Sequence, residues 1–216
     1  MILEKERQTI IEIGKRMIDA RLTTGTGGNL SIFNRDENLI AIKPSGVPYQ
    51  SMQPEDIVIL DPHGKKVEGH LKPSSETKFH LAIYQARPDI SAILHSHQVH
   101  ATTIACLGLE LPAVHYLIGW CGDKVPLAPY ATFGTQELSD NILSVLGDYR
   151  ACLLENHGLI TLGSDLHQAF EVAEELELVA QIYIQAKAIG EPKLLDKQQM
   201  VEVLEKFKTY RKQDSV

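Results

Sequence analysis

Ile90-Ser91-Ala92-Ile93-Leu94-His95-Ser96-His97 is the stretch on which the fold turns. Its aliphatic run reads as a strand. Before it, Ser75-Glu76-Thr77-Lys78 leads into Phe79, Leu81, Ala82, Ile83 and Ala86, and Pro88 ends the run, which predicts a helix beginning at Ser75. After it, His100–Leu107 reads as a short helix. Working outward, residues 3–22 carry an apolar stripe at helical spacing, and Gly25-Thr26-Gly27-Gly28 stops it. Leu30–Phe33 and Leu39–Lys43 read as strands around a polar turn, followed by strands at Ile57–Asp61 and near Lys66–Glu68. The stretch 111–134 is irregular or weakly extended. Thr135–Leu146 is helical with Thr135 as its cap, Ala151–Glu155 and Leu159–Leu162 are strands, and helices cover about Leu166–Ile189 and 196–207. Strands scattered among helices and joined by short turns imply an α/β fold with a mixed or antiparallel sheet. The strict alternation of a doubly wound fold is missing.

Composition narrows the function. The chain has 216 residues, 44% hydrophobic, enough for a real core in one ordinary domain. Its formal charge of −7 lacks the basic field of a nucleic-acid binder. A local anion site remains open, because backbone N–H groups alone can build one. No apolar run approaches the ~20 residues of a membrane span, and the charged beginning, Met1-Ile2-Leu3-Glu4-Lys5-Glu6, does not read as a signal peptide. Three cysteines (Cys106, Cys121, Cys152) are too few and too odd for a disulfide framework. These features together predict a cytoplasmic protein with no nucleic-acid or membrane partner.

Nine histidines are an unusual share, so their placement matters. On a strand, residues i and i+2 share a face, so His95 and His97 project together. Paired neutral imidazoles suit Zn²⁺, although a bare His-x-His is more often two solvated or core histidines. His157, in the Asn156-His157-Gly158 turn between two strands, would supply a third protein ligand and leave an open coordination position. His63, His70, His80 and His167 have less claim; His100 and His115 are candidates for orienting ligands. Gly25-Thr26-Gly27-Gly28-Asn29, Lys43-Pro44-Ser45-Gly46 and Lys72-Pro73-Ser74-Ser75-Glu76 are turns able to aim N–H groups at a phosphate. Each, taken singly, is also ordinary turn chemistry. Glu76 reads either as a helix-start carboxylate or as a group beside a metal.

In order, Gly25–Ser31, Lys43–Tyr49, Lys72–Glu76, His95-Ser96-His97 and Asn156-His157-Gly158 form a set that resembles the zinc-dependent class II aldolase/epimerase family of sugar phosphates. The similarity runs nearly end to end. The segments Ala113–Tyr116, Ala128–Thr135 and Glu205–Tyr210 look most like the branch that cleaves L-fuculose 1-phosphate to dihydroxyacetone phosphate and L-lactaldehyde. The resemblance implies a single α/β domain over residues 1–216, with a largely antiparallel central sheet flanked by helices. It also implies a homotetramer with active sites at subunit interfaces. It assigns His95, His97 and His157 as Zn²⁺ ligands, and Glu76 as both ligand and base. Gly28, Asn29, Ser45, Gly46, Ser74 and Ser75 become the phosphate cradle. Tyr116 becomes a donor supplied across the interface, and Tyr210 a tyrosine that covers the site.

The chemistry then required is consistent with these residues. Cleaving a ketose between C3 and C4 leaves negative charge on the ketone half, which a metal stabilises as a Lewis acid. In reverse, a base takes the C3 proton, and the aldehyde oxygen needs a donor. The nearest rival, L-ribulose-5-phosphate 4-epimerase, resembles Pro-Ser-Ser-Asp where this chain has Pro73-Ser74-Ser75-Glu76, so Glu76 favours the aldolase. Another sugar-phosphate aldolase or dehydratase of the family is a further alternative. A non-catalytic scaffold would lack the three histidines and Glu76.

Overall fold

The computed structural model describes residues 1–210, with side chains described through Lys208. The strands are β1 (Asn29–Asn34), β2 (Leu39–Ile42), β3 (Val58–Leu60), β4 (Lys66–Glu68), β5 (Ala92–Ser96), β6 (Leu127–Ala128), β7 (Ala151–Leu154) and β8 (Gly158–Gly163). The helices are α1 (Glu4–Asp19), α2 (Thr77–Ala86), α3 (Val99–Cys106), α4 (Gln136–Leu146), α5 (Leu166–Ile189) and α6 (Lys197–Tyr210). All eight strands join one sheet in the order β4-β3-β2-β1-β5-β8-β7-β6. Every pairing is antiparallel except β6 with β7.

Period-two alternation sorts the strand residues onto two faces. Ile40, Ile42, Val58, Leu60, Ile93, Cys152, Leu154, Ile160 and Leu162 pack under α2 and α4 with Phe79, Ile83, Leu138 and Ile142. The intervening Leu30, Ala41, Ile59, Ala92 and Leu94 pack against α1 and the start of α5. Ala151, Leu153 and Leu159 meet α3 and the rest of α5. No helix among the described residues is long and apolar enough to cross a membrane.

Three local expectations need correction. α2 starts at Thr77, not Ser75, because Ser74 closes a turn first: its Oγ accepts the Glu76 N–H and its carbonyl accepts the Thr77 N–H. The stretch 111–134 is not wholly irregular. It holds a 3₁₀ helix at Tyr116–Trp120, and β6 extends the sheet in parallel beside β7. His97 stands one residue past β5, its N–H bonded to the Leu22 carbonyl. Thr135 caps α4 as its position predicts, accepting the Leu138 N–H at 3.2 Å.

Candidate active site

The site lies at one end of the central strands, on the face covered by α2. β1 and β5 pair in register, with Asn29 opposite His95. β5 and β8 pair His95 with Ile160, so the β7–β8 turn returns over the same strand end. Asn156 takes a left-handed conformation (φ 54°) in that turn and so presents His157. Two glycines allow the close approach. A Cβ on Gly28, itself at φ +68°, would stand 2.4 Å from the His95 carbonyl oxygen. One on Gly158 would stand 2.3 Å from the Ser96 carbonyl oxygen and 3.1 Å from His97 Cδ2.

The result is three converging imidazoles. Nitrogens of His95, His97 and His157 lie within 4.8 Å of one another, and the Nε2 atoms of His95 and His97 are 3.0 Å apart. His95 donates its Nδ1–H to the Leu159 carbonyl at 3.0 Å, which leaves the Nε2 lone pair aimed into the cluster. Burial, followed by its two neighbouring rings, holds the His95 pKa well below the ordinary histidine value. Burial likewise lowers His97, and lowers His157 to about 4. All three are therefore neutral lone-pair donors at pH 7.

Glu76 completes the group. Its Oε2 is 3.4 Å from His95 Nε2 and its Oε1 is 3.5 Å from His157 Nε2. Oε2 accepts a hydrogen bond from Asn29 Nδ2 at 2.8 Å, while the buried Oε1 has no hydrogen-bond partner. Desolvation raises the carboxyl to about pKa 7, against the opposing pull of the Asn29 bond. An unpartnered buried carboxylate oxygen beside three neutral imidazole nitrogens fits a divalent cation. Ligand atoms on a tetrahedral zinc sit about 3.3 Å apart at ordinary bond lengths, close to the 3.0–3.5 Å spacings here.

Beside the cluster is a cavity of about 330 Å³. Gly28, Asn29, Ser45, Gly46, Ser74 and Ser75 all line it, together with Glu76, His97 and His157. Three turns far apart in sequence thus form one wall. Two further lining residues stand within motifs of the sequence reading but had no role of their own there. Phe133 is 63% exposed at the cavity. Lys43 is buried, its Nζ donating to the carbonyls of Thr26 and Pro44 and lying 4.7 Å over the Tyr49 ring, and desolvation lowers it to about pKa 8.

Other candidates lie apart. Tyr116 is exposed and lines a different groove, with Trp120, Val203 and Phe207. Tyr210 ends α6, and its side chain lies outside the described residues. His100 bonds Glu177 on α5 at 2.7 Å, and His115 accepts the Leu117 N–H, so the hydrogen bonds of both rings lead elsewhere. The histidine that does reach the site's partners is His80, which is fully buried and bonds Asn29. The sequence signal for it was the i, i+4 spacing of Glu76 and His80.

The sequence matches the family described as Class II Aldolase and Adducin N-terminal domain over residues 8–184. The chain belongs to this family, as a class II aldolase. It is 53% identical to the 5-deoxy-D-ribulose 1-phosphate aldolase of Bacillus thuringiensis serovar kurstaki, over 99% of this chain and all of that one. It is 43% identical to the L-fuculose phosphate aldolase of Escherichia coli K12, over 95% of each. A solved structure of an L-fuculose 1-phosphate aldolase superposes with a TM-score of 0.94 at 45% identity, covering 96% of this chain and 98% of that one. The family is metal-dependent, and the three-imidazole cluster of this class II aldolase is able to hold a metal.

Proposed function

We propose that this class II aldolase reversibly cleaves a 5-deoxyketose 1-phosphate, 5-deoxy-D-ribulose 1-phosphate first among them, to dihydroxyacetone phosphate and a short aldehyde. One observation carries the reading of the chemistry: a buried carboxylate oxygen with no hydrogen-bond partner and three converging lone-pair imidazoles stand beside one cavity walled by serine- and glycine-bearing turns. The choice of substrate is supported by the 53% identity over full length to a 5-deoxy-D-ribulose 1-phosphate aldolase. L-Fuculose 1-phosphate is the second reading, supported by the structural likeness at TM-score 0.94.

In this reading His95, His97, His157 and Glu76 hold Zn²⁺, which as a Lewis acid supplies stabilisation for the negative charge left on the ketone half. Glu76, released from its resting place as a ligand when substrate binds, takes the C3 proton of dihydroxyacetone phosphate on Oε1 in the synthetic direction. Asn29 holds the other oxygen. Gly28, Asn29, Ser45, Gly46, Ser74 and Ser75 bind and orient the phosphate, with Lys43 adding positive potential, and so supply the proximity contribution. In a homotetramer Tyr116 serves the site from a neighbouring copy, donating to the aldehyde oxygen, and Tyr210 covers the site; the exposure of the Tyr116 and Phe133 rings favours an interface there. Three free cysteines suit a reducing cytoplasm.

The test is dihydroxyacetone phosphate release from 5-deoxy-D-ribulose, L-fuculose, L-ribulose and L-rhamnulose 1-phosphates, before and after chelation and zinc restoration. Release fastest from a 5-deoxyketose ester, abolished by chelator and restored by zinc, is the expected result. No release from any ester by zinc-loaded protein would overturn the proposal.

A further inference from the structure

A line of hydrogen bonds runs from Glu76 away from the cavity and into the core. Glu76 Oε2 accepts from Asn29 Nδ2 at 2.8 Å, and Asn29 Oδ1 meets His80 Nε2. His80 Nδ1 is 2.7 Å from Ser31 Oγ, which is 2.7 Å from the Tyr84 hydroxyl. Two periodicities build this line. Asn29 and Ser31 are i and i+2 on β1, sharing a face, while Glu76 caps the start of α2 and His80 and Tyr84 follow at i+4 and i+8 along one side of it. The Phe79 ring stacks on His80 with centroids 4.5 Å apart and planes 19° apart, which holds the imidazole plane. His80 and Ser31 are fully buried, so neither touches substrate.

We propose that His80 is a positioning residue: with Ser31 and Tyr84 it fixes the Asn29 amide so that its N–H group, not its carbonyl, faces Glu76. A carboxylate only accepts hydrogen bonds, so the amide nitrogen must face it. The amide oxygen then needs a donor, which the His80 Nε2–H supplies. The neutral ring is left with a bare Nδ1 that accepts from the Ser31 hydroxyl, and the Ser31 oxygen in turn accepts from Tyr84. One proton order satisfies every member; the reverse order would set the amide oxygen against the carboxylate. The consequence falls on Glu76. Oε2 is committed to Asn29, so Oε1 is the oxygen left to act, and the buried line chooses which one that is. The effect on rate rests on the reading of Glu76 as the base; the proton order does not.

Protein carrying ¹⁵N-labelled histidine, with its metal in place, tests the order through two-bond ¹H–¹⁵N correlations, the His80 signals being assigned by their loss in His80→Gln. The Nε2–H tautomer is expected, and an Nδ1–H tautomer would overturn the proposal. Two variants separate positioning from packing. A glutamine places its N–H near the Nε2 position and an asparagine only near Nδ1. His80→Gln is therefore expected to keep kcat within about threefold, and His80→Asn to lose kcat about 100-fold, as for a misplaced catalytic group, with KM and metal content little changed. Equal kcat for the two variants, whether both kept or both lost, would overturn it. If neither variant folds, the same correlations of labelled wild type, with His80 assigned through its Phe79 and Tyr84 contacts, still give the tautomer. A wild type that cleaves no ketose phosphate yet shows the Nε2–H tautomer would refute the proposed function alone.

Discussion

Replacing Glu76 by Gln removes the proposed base while keeping its shape. Asn29 Nδ2 sits 2.8 Å from Oε2 and needs an acceptor, so the glutamine oxygen takes that place. Its NH₂ group then occupies the Oε1 position, 3.5 Å from His157 Nε2, and cannot accept a proton. Loss of a positioned general base costs about 10²–10⁴ in rate, or roughly 3–5 kcal/mol in the barrier. The assay should isolate the proton step: deuterium wash-in at C3 of dihydroxyacetone phosphate, followed by NMR, beside the cleavage rate and the zinc content. Three imidazoles remain in Glu76→Gln, so zinc at saturating concentration should still load. Glu76→Asp, one methylene shorter, should fall between the two. Zinc-loaded Glu76→Gln that exchanges the C3 proton and cleaves substrate at the wild-type rate would refute the base assignment.

Lys43→Met should raise KM for the phosphate ester about tenfold with little change in kcat, by removing a nearby positive charge from phosphate binding. With Lys43 at about pKa 8, wild-type KM should also climb as pH passes 8, and steady-state profiles should lose that limb in the variant. Gly158→Ala forces a Cβ to 2.3 Å from the Ser96 carbonyl oxygen and should cost about 1–3 kcal/mol by urea unfolding, as overpacking does, with weaker zinc binding by titration. Unchanged metal affinity would show that the hairpin tolerates the shift. In chelated protein, His80, His95 and His157 stay neutral with pKa values below 6.5, so the unfolded chain takes up protons first as pH falls from 6.5. Glu76, protonated up to about pH 7 when folded, works in the opposite sense, but with His97 also lowered the histidines outnumber it, and the net proton uptake on unfolding predicts stability lost steadily as pH falls from 6.5 to 4.5. Thermal melts flat across that window would contradict it.

Much of this was legible in the chain. The helix over Leu166–Ile189 and the Thr135 cap follow from local pattern, because helix periodicity and end-capping are settled within a few residues. His95 and His97 share a direction because strand side chains alternate, and the glycine- and serine-bearing turns declared themselves by turn chemistry. The start of α2 was misplaced because Ser74 and Ser75 can serve a turn or a first helical turn equally well. Only the tertiary structure decided that His157 reaches His95, since that depends on β8 pairing with β5 in the register His95–Ile160. The burial of Lys43 under a wall made from three separated turns is of the same kind. So is the role of His80: an i, i+4 histidine on an apolar helix means little until β1 places Asn29 and Ser31 against it. Local sequence determines backbone conformation and the face each side chain takes; which faces meet is determined by strand register and helix packing, and chemistry between distant residues exists only after they have met.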